Sequence, residues 1–169
     1  MKTIRYFLAL LVVTTAIHSF ASAADLKSSI NAVLKSYLDI KNALAADNGK
    51  AANDAAKQFT SALKEVPADQ MDDRQKGAWE KYAEKLRYDG EHISESDQIA
   101  HQREHFGSLS ANLLAVLKVF KDNDTVLYQQ YCPMAKKSWI SESATIKNPY
   151  YGKAMPECGV TKETLKAAN

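Results

Sequence analysis

From Asp25 to about Lys121 the apolar residues recur at three- and four-residue intervals, and this periodicity restricts the fold more than any other feature of the chain. Leu26, Ile30, Val33, Leu34, Tyr37, Leu38 and Leu44 make a first helical stripe, opened by Asp25 as N-cap and stopped at Asn48-Gly49. Ala52, Ala55, Phe59, Ala62, Leu63 and Val66 make a second, ended by Pro67; its alanines favour close helix–helix approach. A third starts near Asp69 and carries Met71, Ala78, Trp79, Tyr82, Leu86 and Ile93. Gly77 and Gly90 interrupt it, each at a cost of roughly 1 kcal/mol against alanine in a helix interior. The fourth stripe is the clearest: Ile99, Phe106, Leu109, Leu113, Val116, Leu117 and Phe120, preceded by the capping residues of "SESD" and closed by "KDND". Four amphipathic helices with short connections predict an all-α fold, an up-down four-helix bundle over residues 24–124.

The pattern changes after Asp124. "TVLYQQY" is rich in β-formers and suits a short strand, with room for a short β-hairpin. The segment from Cys132 to Gly159 holds three of the four prolines and reads as an irregular loop, with "NPYYG" as a turn. "VTKETLKAA" is expected to end the chain as a short helix. Residues 125–169 are thus expected to form a Cys/Met loop segment packed on the bundle, within a single helical domain spanning 24–169.

The first 23 residues have the three parts of a secretory signal peptide: Lys2 and Arg5, an apolar run from Tyr6 to about Ile17, and Ala21 and Ala23 before a cleavage point. The apolar run is shorter than the ~20 residues of a membrane span. The expected location is therefore periplasmic, with no membrane span after signal removal. Of the 22 basic residues, Lys2 and Arg5 would leave with the signal, so the remaining 20 balance the 20 acidic ones. A neutral chain without a basic stripe argues against a nucleic-acid partner.

The chemistry-bearing residues gather in the second half. Both cysteines, Cys132 and Cys158, have a methionine beside them, Met134 and Met155. Thiolate and thioether are soft ligands that favour Cu(I) or Ag(I) over hard cations. Two readings of this set stand side by side. An exported chain with two cysteines commonly oxidises them, and a Cys132–Cys158 disulfide closing this loop would contribute roughly 3 kcal/mol in the chain-entropy model. The alternative is a soft-metal site. His101 and His105 lie four apart on the fourth helix and share one face, so they join the candidate metal ligands; His92 falls nearby with no assigned role. "HQREH" also fits the H-x-x-E-H pattern of zinc hydrolases, with Glu104 as general base, and keeps a minor enzymatic reading open. The aromatic residues of the segment, Tyr128, Tyr131, Trp139, Tyr150 and Tyr151, either shield a metal or anchor the loop, and anchoring is the simpler role for Trp139.

"HQREHFGSLSANLL", "YCPMA", "SWISE", "IKNPYYGKAMPECG" and "VTKETL" occur in that order. Together they resemble a family of exported bacterial domains of unknown function, similar to domains joined to periplasmic adaptor subunits of copper/silver efflux systems. The resemblance covers roughly residues 93–165. By position it takes in His105, Phe106, Cys132, Met134, Trp139, Asn148, Pro149, Tyr150, Gly152, Met155, Cys158 and Gly159. Two departures stand out: Tyr131 where relatives often carry histidine before the cysteine, and "KKS" in place of a longer glycine-containing insert before the tryptophan. The resemblance implies a copper context.

The expectation from the sequence is a non-enzymatic periplasmic protein that binds Cu(I) or Ag(I) for capture, carriage or delivery to an efflux adaptor or other periplasmic partner. Its ligands would be Cys132, Met134, Met155 and Cys158, with His105 or His101 in support. The alternative is a disulfide-stapled helical interaction module.

Overall fold

The computed structural model describes residues 25–168. The expected signal peptide lies outside the described residues. Four helices follow one another: α1 (Leu26–Ala45), α2 (Gly49–Lys64), α3 (Asp73–Ser94) and α4 (Ile99–Phe120). A single turn of 3-10 helix at Ala68–Gln70 bridges α2 and α3. Three strands complete the chain: β1 (Leu127–Cys132), β2 (Lys137–Ser141) and β3 (Val160–Leu165). No helix among the described residues is long and apolar enough to cross a membrane.

The helix ends follow from local chemistry. The Asp25 carboxylate accepts from the Ser28 N–H at the start of α1, satisfying one of the unpaired donors of the first turn. Asn48 does the same for Ala51 at the start of α2. Asp72 and Gln75 form a reciprocal capping box that opens α3, three residues later than the sequence pattern suggests. Lys121, in the left-handed region at φ 56°, ends α4.

Each helix packs on the next, α1 on α2, α2 on α3 and α3 on α4, as short connections require. The predicted stripes form the core: Ile30, Val33, Tyr37, Ile40 and Leu44 from α1, Phe59 from α2, Leu86 and Ile93 from α3, and Phe106, Leu109, Leu113 and Val116 from α4 are essentially buried. Gly90, a penalty in the sequence, has a packing reason. A Cβ there would come within 2.9 Å of both Phe59 Cδ1 and Thr60 Cγ2 on α2, so the glycine is what lets α3 lie close to α2.

The C-terminal segment corrects two expectations. Residues 127–165 do not form a lone hairpin: β2 interrupts the expected loop, and β1, β2 and β3 build a three-stranded antiparallel sheet in the order β2-β1-β3, while residues 142–159 between β2 and β3 are irregular apart from a 3-10 turn at Gly152–Ala154. And "VTKETL" is the strand β3, not a helix. Central strand β1 has hydrogen-bonding groups on both edges. β2 satisfies one edge and β3 the other, and the β-branched Val160, Thr161 and Thr164 suit an extended chain. Asn123 then ties down the tail, its side chain donating to the Lys166 carbonyl and its own carbonyl accepting from the Ala168 N–H. The fold is therefore mostly helical with a small sheet, and not purely all-α.

β2 seats the sheet against α4 and α1. Its Trp139, Ile140 and Ser141 are buried. The Tyr37 hydroxyl, on a side chain that is 0% exposed, accepts from the Ile140 N–H at 3.0 Å and shares a hydrogen bond with the Ser110 hydroxyl at 2.8 Å. One buried tyrosine thus joins α1, α4 and β2.

Candidate functional site

The register of the sheet brings the two cysteines together. Cys132 is the last residue of β1, and Tyr131 before it pairs with Val160 at the start of β3. Cys158 stands two residues before Val160, so antiparallel pairing folds it back on Cys132. The two Sγ atoms lie 3.2 Å apart and are not bonded. That is longer than the ~2.05 Å of a disulfide. It is shorter than the roughly 3.8 Å between two sulfurs at ~2.3 Å from a tetrahedral ion. The separation therefore lies between that of a disulfide and that of two sulfurs on one ion.

The turn Pro133–Lys136 between β1 and β2 shapes the surroundings of Cys132. Lys136 takes φ 54°, closing the turn, and the Ala135 N–H points at Cys132 Sγ at 3.4 Å. Burial pushes the Cys132 thiol up. The Ala135 N–H, the Cys158 thiol, the Asn148 side chain and the Met134 N–H together outweigh it and hold the group below the ordinary thiol value. Cys158 moves the other way: its hydrogen bond with Cys132, then burial, raises it. The two thiols are thus shifted in opposite directions, Cys132 toward the thiolate and Cys158 away from it.

The "NPYYG" turn holds the other cysteine. Asn148 is fully buried. Its side-chain amide donates to the Cys158 carbonyl at 2.6 Å, and its side-chain oxygen accepts from the Tyr150 and Tyr151 N–H groups. Arg103 of α4 fastens the turn to the bundle, donating to the carbonyls of Pro149 and Leu44 and pairing with Asp47 at 2.6 Å. Gly152 sits over this pair at φ 54°, where a Cβ would fall 2.0 Å from an Asp47 carboxylate oxygen. Trp139 and Tyr150 pack edge to face with centroids 6.0 Å apart, and the Tyr150 hydroxyl donates to the Ser138 carbonyl. The aromatic residues at 139 and 150 anchor the segment.

The two methionines beside the cysteines in sequence sit in different surroundings. Met134 is 64% exposed and lines a groove of about 420 Å³ with Ala100, Arg103, Glu104 and Tyr151. Met155 is half-buried, and its carbonyl accepts from the Cys158 N–H at 3.3 Å.

The histidines gather elsewhere. His101 and His105 face α3, where His92 joins them; one nitrogen from each lies within 4.8 Å of the others. Among the described residues this is the one cluster of three or more histidine, cysteine or carboxylate ligand atoms, and it contains neither cysteine. Glu104 is exposed and belongs to the groove beside Met134. Sequence reasoning left His92 without a role because it lies on a different helix from His101 and His105. The signal was present only in the α3–α4 pairing, which sets the last turn of α3 against the first turns of α4.

Comparison with known proteins adds the family. No curated protein and no solved structure matches the chain. Residues 33–125 match the family described as Protein of unknown function (DUF3347). The match runs through the helices, including all three clustered histidines, and ends before β1 and the cysteines. It spans more than half of the 169 residues, and the chain belongs to this family.

Proposed function

We propose that the protein is an exported soft-metal carrier that takes up Cu(I) or Ag(I) at Cys132 and Cys158, with Met134 and Met155 as thioether ligands, and passes the ion to an efflux partner. The observation that carries this reading is the pair of unbonded sulfurs 3.2 Å apart, beside a turn whose N–H groups stabilise a thiolate on Cys132. A thiolate is the ligand form a soft ion requires. The exposure of Met134 fits transfer, because a ligand at the surface can be shared with an incoming partner. No bond-making chemistry is part of this function.

The same short separation favours a second reading, in which the two cysteines close to a disulfide that pins β3 to β1. In an oxidising compartment the two states exclude each other, so oxidation would switch metal uptake off.

The test is an anaerobic Cu(I) titration of the reduced and the oxidised chain against a coloured Cu(I) chelator. The carrier reading expects one tightly held ion in the reduced chain and none at the sulfurs in the oxidised one. Met134→Leu with Met155→Leu should weaken the affinity and leave folding intact, since such swaps nearly conserve volume. Failure of the reduced chain to compete with the chelator would remove the carrier reading and leave the cysteines as a staple.

A further inference from the structure

The α3–α4 seam holds the other concentration of ligand atoms. His92 stands on the last turns of α3, and His101 and His105 stand one helical turn apart on α4. All three side chains are half-buried, and one ring nitrogen from each lies within 4.8 Å of the others. The rings of His92 and His105 are nearly parallel with centroids 4.5 Å apart, and His101 meets His105 edge-on at 4.7 Å. Tyr88 packs on His92 with ring centroids 4.3 Å apart.

A buried carboxylate fixes one of the rings. Asp89 is 4% exposed, and its oxygen lies 3.1 Å from His105 Nδ1. A carboxylate only accepts, so Asp89 accepts a hydrogen bond from the proton of His105 Nδ1 and leaves Nε2 as the ring nitrogen that can face a metal. This is the arrangement by which a metal-ligating histidine is oriented. The α-carbons of the three residues are held by two helices packed along their length, so the ligands sit on rigid elements. Three nitrogens at about 2.0–2.1 Å from a tetrahedral ion are roughly 3.3 Å apart. The nitrogens, all within 4.8 Å of one another, would close to that spacing on an ion by turning of the imidazoles within the seam. The half-buried position leaves a fourth coordination place open to water.

We infer that His92, His101 and His105 form a second metal site, distinct from the sulfur pair, that binds one divalent cation of the imidazole-preferring class, Zn(II) or Cu(II), with Asp89 positioning His105. Imidazole suits these ions, and softness separates the two sites: the nitrogen set favours the divalent ion and the sulfur set Cu(I). The inference does not rest on the carrier reading, since it shares no ligand with it.

The experiment is a titration of the air-oxidised chain, whose sulfurs are closed to metal, with Zn(II) and separately with Cu(II) against a coloured competing chelator. Co(II) serves as a spectroscopic stand-in. One ion per chain is expected, with a four-coordinate Co(II) spectrum that lacks thiolate-to-metal charge transfer. His92→Ala and His101→Ala should each lower the affinity at least about tenfold, and Asp89→Asn about tenfold, the scale on which ligand partners act. Circular dichroism of each variant checks the helices, and His101→Gln, which keeps a polar side chain on the helix surface, repeats the test should His101→Ala unfold. Absence of zinc and copper uptake by the oxidised chain would overturn the inference. So would affinities that move less than about twofold in folded His92 and His101 variants. The relative strength of the zinc and copper isotherms assigns the ion.

Discussion

Lys41 is a charge placed where the helices and the sheet meet, and replacing its partner gives a sharp test of the packing described above. Its side chain is 1% exposed, and its ammonium donates to Glu142 at 2.6 Å. Glu142, just after β2, also accepts from the Asn42 amide at 3.0 Å, so it joins the sheet to α1. Burial lowers the Lys41 pKa below its ordinary 10.5; Glu142 opposes that shift by hydrogen bond and by charge. Glu142→Gln keeps the shape and an acceptor oxygen but removes the negative charge. Stranding a buried charge costs about 3–5 kcal/mol when the partner is fully desolvated. The Glu142 side chain is 39% exposed, and the amide still accepts one bond, so the expected loss is about 2 kcal/mol near pH 7. The pH dependence has a definite sign. A lysine whose folded pKa lies below its unfolded value binds fewer protons when folded, so stability rises with pH between the two values. Without Glu142 the folded pKa drops further and this rise begins at lower pH. The deficit of the variant therefore shrinks as the buffer is taken from about pH 7 toward about pH 10, because the variant's Lys41 gives up its proton first. Urea denaturation under constant reducing conditions at several pH values measures it. A loss below about 0.5 kcal/mol, or one that does not change with pH, would mean that Lys41 is not stranded by the substitution.

Tyr37→Phe removes the hydroxyl that bonds Ile140 and Ser110 and leaves a buried N–H without its acceptor. The expected cost is about 1–3 kcal/mol in chemical denaturation, and Ser110→Ala combined with Tyr37→Phe should add little to it. The two glycines of α3 should respond in opposite ways. A Cβ at Gly77 meets nothing within 4 Å, so Gly77→Ala should stabilise by about 1 kcal/mol through helix propensity. At Gly90 the same methyl meets Phe59 and Thr60 at 2.9 Å, and crowding of about 1–3 kcal/mol offsets the propensity gain. Gly90→Ala should therefore be neutral to destabilising, and equal thermal shifts for the two variants would sink the packing account of Gly90.

The helices were legible because each buries one stripe against its neighbours, and a stripe at period 3.6 is written in the order of residues. Even where the pattern faltered, as at Gly90, the cause was a contact between α2 and α3, and one-dimensional reasoning prices the residue without seeing the contact. The sheet was less legible. β3 is exposed along most of its length, so no alternation of apolar and polar residues marks it. "KETLKAA" has good helix formers, and what overrides them is the free edge of β1 waiting for a partner. Such a demand is tertiary and has no local signature.

The same distinction explains which chemistry could be read in advance. Cys132 and Cys158 were paired from composition and compartment, and the antiparallel register of β1 and β3 supplies the physical means: a strand pair brings residues 26 positions apart to within 3.2 Å. His101 and His105 were paired by helical spacing, which is local. Their convergence with His92 depends on α3 and α4 packing so that Asp89 and His92, on the last turns of one helix, meet the first turns of the other. Spacing within α4 alone offered the carboxylate of Glu104 as a companion, as in "HQREH". The fold instead leaves Glu104 exposed in the groove beside Met134 and supplies a buried Asp89 from the neighbouring helix. A buried aspartate on His105 Nδ1 serves well to orient a ligand. The geometry of this seam therefore makes Asp89, rather than Glu104, the carboxylate partner of the clustered histidines, the arrangement the second metal site requires.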